Sequence, residues 1–251
     1  MDIMKHGEET AEEIEAAFVG VNNGVSMISK FRRRQPTVIC GTGRSGTTAL
    51  ARCFLNSDDV KFVTQDETDG SNLEVIAMNK ATVECDAEAW RAFKEEHAVD
   101  DSEFVCKQPR FEEFIVKDED FKSVWTGANI IVMTRDPHLV ATRQWSINMH
   151  QSGKTFTEHV ASCFAIARRS IMCAAEMSEL CGVLFVSYEK LITQPQQVAD
   201  EVNAWFGRER LMKKAMAKSI MPNNPYYLER QTLGWMRQMK DMKERRARGE
   251  R

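Results

Sequence analysis

The chain has 251 residues, 43% hydrophobic and 28% charged. That is enough to bury roughly 70–75% of the unfolded surface without staples, and too apolar a mixture for disorder. Six prolines and 13 glycines exclude collagen-like and low-complexity classes. Lys plus Arg number 34 against 37 Asp plus Glu, a net charge of -3, so no nucleic-acid partner is expected from bulk charge.

In chain order, residues 1–35 read as a helical lead-in, with a turn around Asn22-Asn23-Gly24 and a basic run, Lys30-Phe31-Arg32-Arg33-Arg34, that suits a solvated face. Thr37-Val38-Ile39-Cys40 is a short apolar run of the kind a buried parallel strand shows. Gly41-Thr42-Gly43-Arg44-Ser45-Gly46-Thr47-Thr48 follows, and Leu50, Cys53 and Phe54 then mark one face of a helix. Val60–Val63 reads as a second strand, Asp86 as the cap of a helix carrying Trp90, Phe93 and His97, and Phe104-Val105-Cys106 as a third strand ending in Lys107-Gln108-Pro109-Arg110. Asn129–Met133 is the clearest strand; it runs into Thr134-Arg135-Asp136-Pro137, where proline suits the first turn of a helix. Residues 155–180 form a long helix with Val160, Cys163, Phe164, Ala167, Ile171, Ala174 and Ser178 on one face and Gly182 as its stop. Val183–Val186 is a further strand, leading into Ser187-Tyr188-Glu189, and helices close the chain over 208–251.

Strands alternating with helices predict a single α/β domain over 1–251: a central, mostly parallel sheet flanked by helices, with 37–207 as a nucleotide-binding core. Ligands of such sheets bind beyond the carboxyl ends of the strands, where Gly41–Thr48, Lys107, Arg135 and Tyr188 are expected. The glycine-rich segment lies between strand and helix, so its N–H groups and the helix N-terminus favour an anion, with Arg44 adding charge and Ser45, Thr47 and Thr48 adding hydroxyls. Three readings of that anion stand open. Gly41, Gly43 and Gly46 satisfy G-x-G-x-x-G with Glu67 about 20 residues on, as in a dinucleotide-dependent oxidoreductase. A kinase-type loop lacks its lysine, because Thr47 occupies that position.

The third reading is a resemblance. Arg44-Ser45-Gly46-Thr47-Thr48 resembles the 5′-phosphosulfate loop of sulfotransferases that use 3′-phosphoadenosine-5′-phosphosulfate (PAPS), in the style of the protein-tyrosine and bacterial branches. Lys107-Gln108-Pro109 resembles that family's K-x-P, Arg135-Asp136-Pro137 its R-[DN]-P, and Tyr188-Glu189-Lys190-Leu191 its Y-E-x-L strand exit. The likeness covers roughly 37–207 and implies a P-loop-like fold. It also implies sulfuryl transfer to a hydroxyl or amine acceptor without an obligatory metal, leaving 3′-phosphoadenosine-5′-phosphate. By it, Thr42, Gly43, Arg44, Ser45, Gly46, Thr47 and Thr48 hold the 5′ side, Arg135 the 3′-phosphate and Tyr188 the adenosine. Lys107 stabilises the bridging oxygen, and Glu67 is the base, with Asp66 and Glu74 as fallbacks. One departure stands out: eight residues after Arg135 the family has a serine that also holds the 3′-phosphate, whereas this chain has Arg143, which can bind phosphate in its place, with Thr142 and Ser146 beside it as alternatives. A nucleotide-binding protein that has lost catalysis is the remaining alternative.

Seven cysteines, an odd count with no C-x-x-C, read as reduced thiols. With no signal-peptide core and no apolar run of ~20 residues, a cytoplasmic protein without membrane insertion is expected. His138 and His150 lack ligand spacing for a metal. Met236, Met239 and Met242 read as a packing face, Lys243–Arg251 as a solvated tail, and Pro222–Tyr227 as a candidate lid.

Overall fold

The computed structural model describes residues 25–27, 29–57, 59–65, 73–97, 103–147, 153–208 and 212. Their elements are β1 (Val25–Met27), β2 (Thr37–Gly41), α1 (Thr47–Leu55), β3 (Lys61–Val63), α2 (Met78–Val83), α3 (Ala87–His97), β4 (Phe104–Lys107), α4 (Phe111–Ile115), α5 (Glu119–Trp125), β5 (Asn129–Thr134), α6 (Pro137–Ile147), α7 (Phe156–Met177), β6 (Gly182–Ser187), α8 (Tyr188–Thr193) and α9 (Pro195–Phe206). The four apolar runs β2, β4, β5 and β6 are buried along their whole length, as strands covered on both faces must be.

Strand order is β1-β6-β5-β2-β4-β3. Neighbours pair in parallel, except that β1 runs antiparallel to β6. The chain leaves β2 toward β3 and β4 on one side, then returns to its other flank with β5. That reversal opens a crevice beyond the carboxyl ends of β2 and β5. The order also separates this fold from the dinucleotide one, where the second strand lies beside the first; here β4 stands between β3 and β2.

Alternate residues feed two cores. Val38, Cys40, Ile130, Val132, Val183 and Phe185 pack with Trp90, Phe111 and Trp125 on one face. Ile39, Ile131, Met133, Leu184 and Val186 meet Leu50, Phe54, Val198 and Phe206 on the other. Asp86 caps α3, accepting from the N–H of Ala89 at 2.9 Å, and a Thr155–Glu158 capping box starts α7. None of the seven cysteines forms a disulfide, and among the described residues no helix is long and apolar enough to cross a membrane.

The structure corrects three local expectations. The lead-in is not helical where it is described: Val25–Met27 is an edge strand, and 29–36 is irregular. Pairing with β6 gives these backbone groups partners, and the Asn129 side chain clamps Arg32, accepting from its N–H at 2.7 Å and donating to its carbonyl at 2.8 Å. The basic run thereby sits, exposed, at the opposite end of the strands from the crevice. The buried stripe of α7 is His159, Cys163, Ser170, Cys173, Ala174 and Met177, while Phe164 is exposed and meets the His138 ring. Gly182 begins β6 instead of stopping the helix; a Cβ there would lie 2.4 Å from Asn129 Oδ1. Residues 213–251, with the expected methionine face, lid and tail, lie outside the described residues, as do residues 1–24 and His150.

One buried acid has no role in the crevice. Glu112, fully buried on α4, accepts from Ser170 Oγ, and its Oε2 has no hydrogen-bond partner. Burial pushes its carboxyl above the ordinary carboxylate range, and the neighbouring Glu113 adds to the effect. A raised folded-state value means stability is present at low pH and falls as pH rises through that value. Glu112→Gln should therefore raise Tm near pH 8 by a few degrees, since about 1 kcal/mol moves Tm by roughly 2–4 °C at this length. The gain should shrink toward pH 4. Melting curves across that range check it, and an equal effect at all pH values would contradict it.

Candidate functional site

Strand β2 ends at Gly41 (φ 132°), where a Cβ would sit 2.4 Å from the Met133 carbonyl oxygen of β5. The loop then alternates handedness: Arg44 (φ 73°) and Gly46 (φ 99°) are left-handed, a geometry that turns successive N–H groups into one concavity. Gly46 caps α1 without any side-chain bond, and the first turn of α1 carries no acid. Its N–H groups therefore face the crevice with the positive end of the helix dipole.

Strands on either side bring the cations. Lys107 ends β4, almost wholly buried, with Nζ 3.0 Å from Thr48 Oγ1 and 3.0 Å from Glu74 Oε1. The loop lacks the lysine of a kinase-type motif, and β4 supplies an ammonium beside that same first turn. Arg135 follows β5, is buried, and donates through Nη1 to the Arg44 carbonyl oxygen at 3.0 Å. Its guanidinium lies 4.5 Å from the centre of the Tyr188 ring, and its Nε is buried without a hydrogen-bond partner. Tyr188, the first residue of α8, packs on Gly46 so closely that a Cβ there would lie 2.1 Å from the ring.

These groups line a cleft of about 430 Å3 with Gly43, Thr47, Thr48, Ala49, Glu74, Pro109 and Arg143. Four cations, Arg44, Lys107, Arg135 and Arg143, face one described carboxylate, Glu74. Of the residues expected from sequence, Gly43, Arg44, Gly46, Thr47, Thr48, Lys107, Arg135, Arg143 and Tyr188 meet here. Thr42 and Ser45 are buried and are not among the lining residues. Thr142 spends its hydroxyl on the His138 carbonyl at 2.8 Å. Asp66 and Glu67 lie outside the described residues, as does the Ser146 side chain. Among the described residues no group of three His, Cys, Asp or Glu converges as a metal site requires.

Sequence reasoning missed Gln144, whose Nε2 donates to the Gly43 carbonyl at 3.0 Å and whose Oε1 accepts from Cys163 at 3.6 Å. It ties α6 to the loop. Position was its only signal: it follows Arg143, and no motif marks an amide there.

A sulfotransferase domain from the curacin biosynthetic pathway shares the fold, with a TM-score of 0.51 at 14% identity over 76% of this chain and 80% of that one. The sulfotransferase domain of a Synechococcus olefin synthase gives 0.48 at 14% identity over 79% and 84%. A Mycobacterium tuberculosis sulfotransferase gives 0.45 at 13% identity over 76% and 71%. No protein-family model and no curated protein matches the sequence. The fold is thus the α/β fold of sulfotransferase domains.

Two glycines of one loop separate strain from space. Gly46→Ala meets both a left-handed backbone and the Tyr188 ring, and should cost about 1–3 kcal/mol or more. Gly43→Ala has only Gln144 Nε2 nearby, at 3.7 Å, and should stay within about 0.5 kcal/mol of wild type. Denaturant melts of the two variants check the contrast.

Proposed function

We propose that this protein is a sulfotransferase that moves a sulfuryl group from PAPS to a hydroxyl or amine acceptor, working in the cytoplasm. The observation that carries the reading is the gathering of four cations round the loop and the α1 N-terminus in one cleft: Arg44, Lys107, Arg135 over the Tyr188 ring, and Arg143. A nucleotide bearing anions at both its 5′ and 3′ positions suits so cationic a cleft. The sheet order and the lysine at the end of β4, where a dinucleotide site has no use for one, weigh against the oxidoreductase reading.

In this role the loop N–H groups, Thr47 and Thr48 hold the 5′-phosphosulfate, and Arg44 neutralises it. Arg135 and Arg143 grip the 3′-phosphate, and Tyr188 offers its ring to the adenosine. The acceptor oxygen attacks sulfur in line as the bond from sulfur to the bridging oxygen breaks, and the freed phosphate oxygen takes the electron pair. Lys107 is proposed to stabilise that growing charge on the bridging oxygen. Glu67 is proposed to take the acceptor's proton, a role worth about 10²–10⁴-fold in rate.

Arg143→Ala tests the assignment of the 3′-phosphate. It should weaken adenosine 3′,5′-bisphosphate by about 10–100-fold, the loss expected from one charged hydrogen bond of roughly 1.5–3 kcal/mol. Binding of adenosine-5′-phosphosulfate should be nearly unchanged. Equal losses for the two ligands, measured by calorimetry, would contradict the assignment.

A further inference from the structure

Lys107 holds an ammonium in an almost solvent-free seat, with 2% exposure, and burial of a charge is costly unless it is paired. Among the described residues, Thr48 of α1 and Glu74 of the segment before α2 meet its Nζ, and the charge of Arg44 in the loop acts on it. Arg135, beyond β5, and Arg143, on α6, line the same cleft. The acids of α4 are engaged elsewhere, Glu112 with Ser170 and Glu113 with Arg110.

Glu74 is fixed in its own place. Leu73 and Val75 on either side are buried in the body, while Glu74 lines the cleft. Its carbonyl accepts from the N–H of Gln65 and from Thr64 Oγ1, each at 3.5 Å, and Gln65 Oε1 receives the N–H of Ala77 at 2.6 Å. A carboxylate anchored this way serves as a fixed strut for a flexible lysine.

We infer that Glu74 is a positioning residue that keeps Lys107 a cation and holds it against the first turn of α1, toward the anion of the loop. Only the identity of that anion rests on the sulfotransferase reading. The opposing influences are explicit: burial pushes the Lys107 ammonium below the ordinary lysine range, Glu74 pushes it back up, and Arg44 pushes it down. Glu74 also repels an anionic ligand, so its removal has two consequences of opposite sign. While Lys107 stays charged, loss of Glu74 favours anion binding. As pH rises, Lys107 without Glu74 loses its proton earlier, and anion binding falls earlier.

The test uses Glu74→Gln and Glu74→Asp in the full chain. Side-chain NMR of the Lys107 Nζ and Cε reports its titration with no nucleotide present, and calorimetry reports adenosine 3′,5′-bisphosphate affinity from pH 6 to 10. In Glu74→Gln the Lys107 midpoint should drop by about 1–3 pH units. Bisphosphate affinity should equal or exceed wild type near pH 6 and fall about tenfold below it on the alkaline side, so that the two curves cross. Glu74→Asp, which restores the charge, should return both readings toward wild type. An unmoved Lys107 midpoint in Glu74→Gln, or parallel affinity curves that never cross, would overturn the inference. A shifted midpoint in a protein whose wild type binds no bisphosphate at any pH would uphold the pairing and overturn the sulfotransferase reading instead.

Discussion

The site hangs on one close approach, the Tyr188 ring lying against the bare α-carbon of Gly46. Because residue 46 has no Cβ, the exit of β6 reaches the loop that follows β2, although β5 lies between the two strands. Arg135 completes the lock from β5, stacking on Tyr188 and donating to the Arg44 carbonyl oxygen. Three strand ends thereby fix one loop. With its carbonyls taken by Arg135 and Gln144, the loop is held in the alternating conformation that turns N–H groups toward an anion.

Net charge conceals this arrangement. A chain at -3 overall gathers Arg44, Lys107, Arg135 and Arg143 in one cleft, against Glu74. Such local concentration needs no basic protein; it needs strand ends that converge, which the reversal at β2 and β5 provides. The exposed basic run at 30–34 contributes nothing to it, since Asn129 pins that segment at the far end of the sheet. The ammonium beside α1 comes from β4 and not from the loop, so the cleft keeps a cation at the first turn of α1 without the lysine of kinase-type loops.

Much of this was legible in the sequence because it follows from local rules. Buried apolar runs marked β2, β4, β5 and β6, and the residues just past each run marked the cleft. Asp86 announced its helix through capping. What escaped depends on long-range partners. The edge strand Val25–Met27 exists by virtue of β6, and three residues carry no periodic pattern. Helices α2 and α4 span six and five residues, too short for helical spacing to emerge. The α7 stripe was misjudged at Phe164 because hydrophobicity alone does not show which face α6 and the sheet cover. Gln144, and the pairing of Glu74 with Lys107, unite side chains 101 and 33 residues from their partners, a relation no spacing rule contains.

The central claim is that this cleft takes an adenine nucleotide by its two phosphates, directly through the loop and the arginines. Calorimetric titration of the wild-type protein in chelator is the most direct measurement, comparing adenosine 3′,5′-bisphosphate with adenosine 5′-monophosphate, NAD and, with magnesium restored, ATP. The account predicts that the bisphosphate binds tightest, that its affinity is the same with and without magnesium, and that removing the 3′-phosphate costs at least tenfold. Preference for NAD, or binding only of ATP with magnesium, would contradict it.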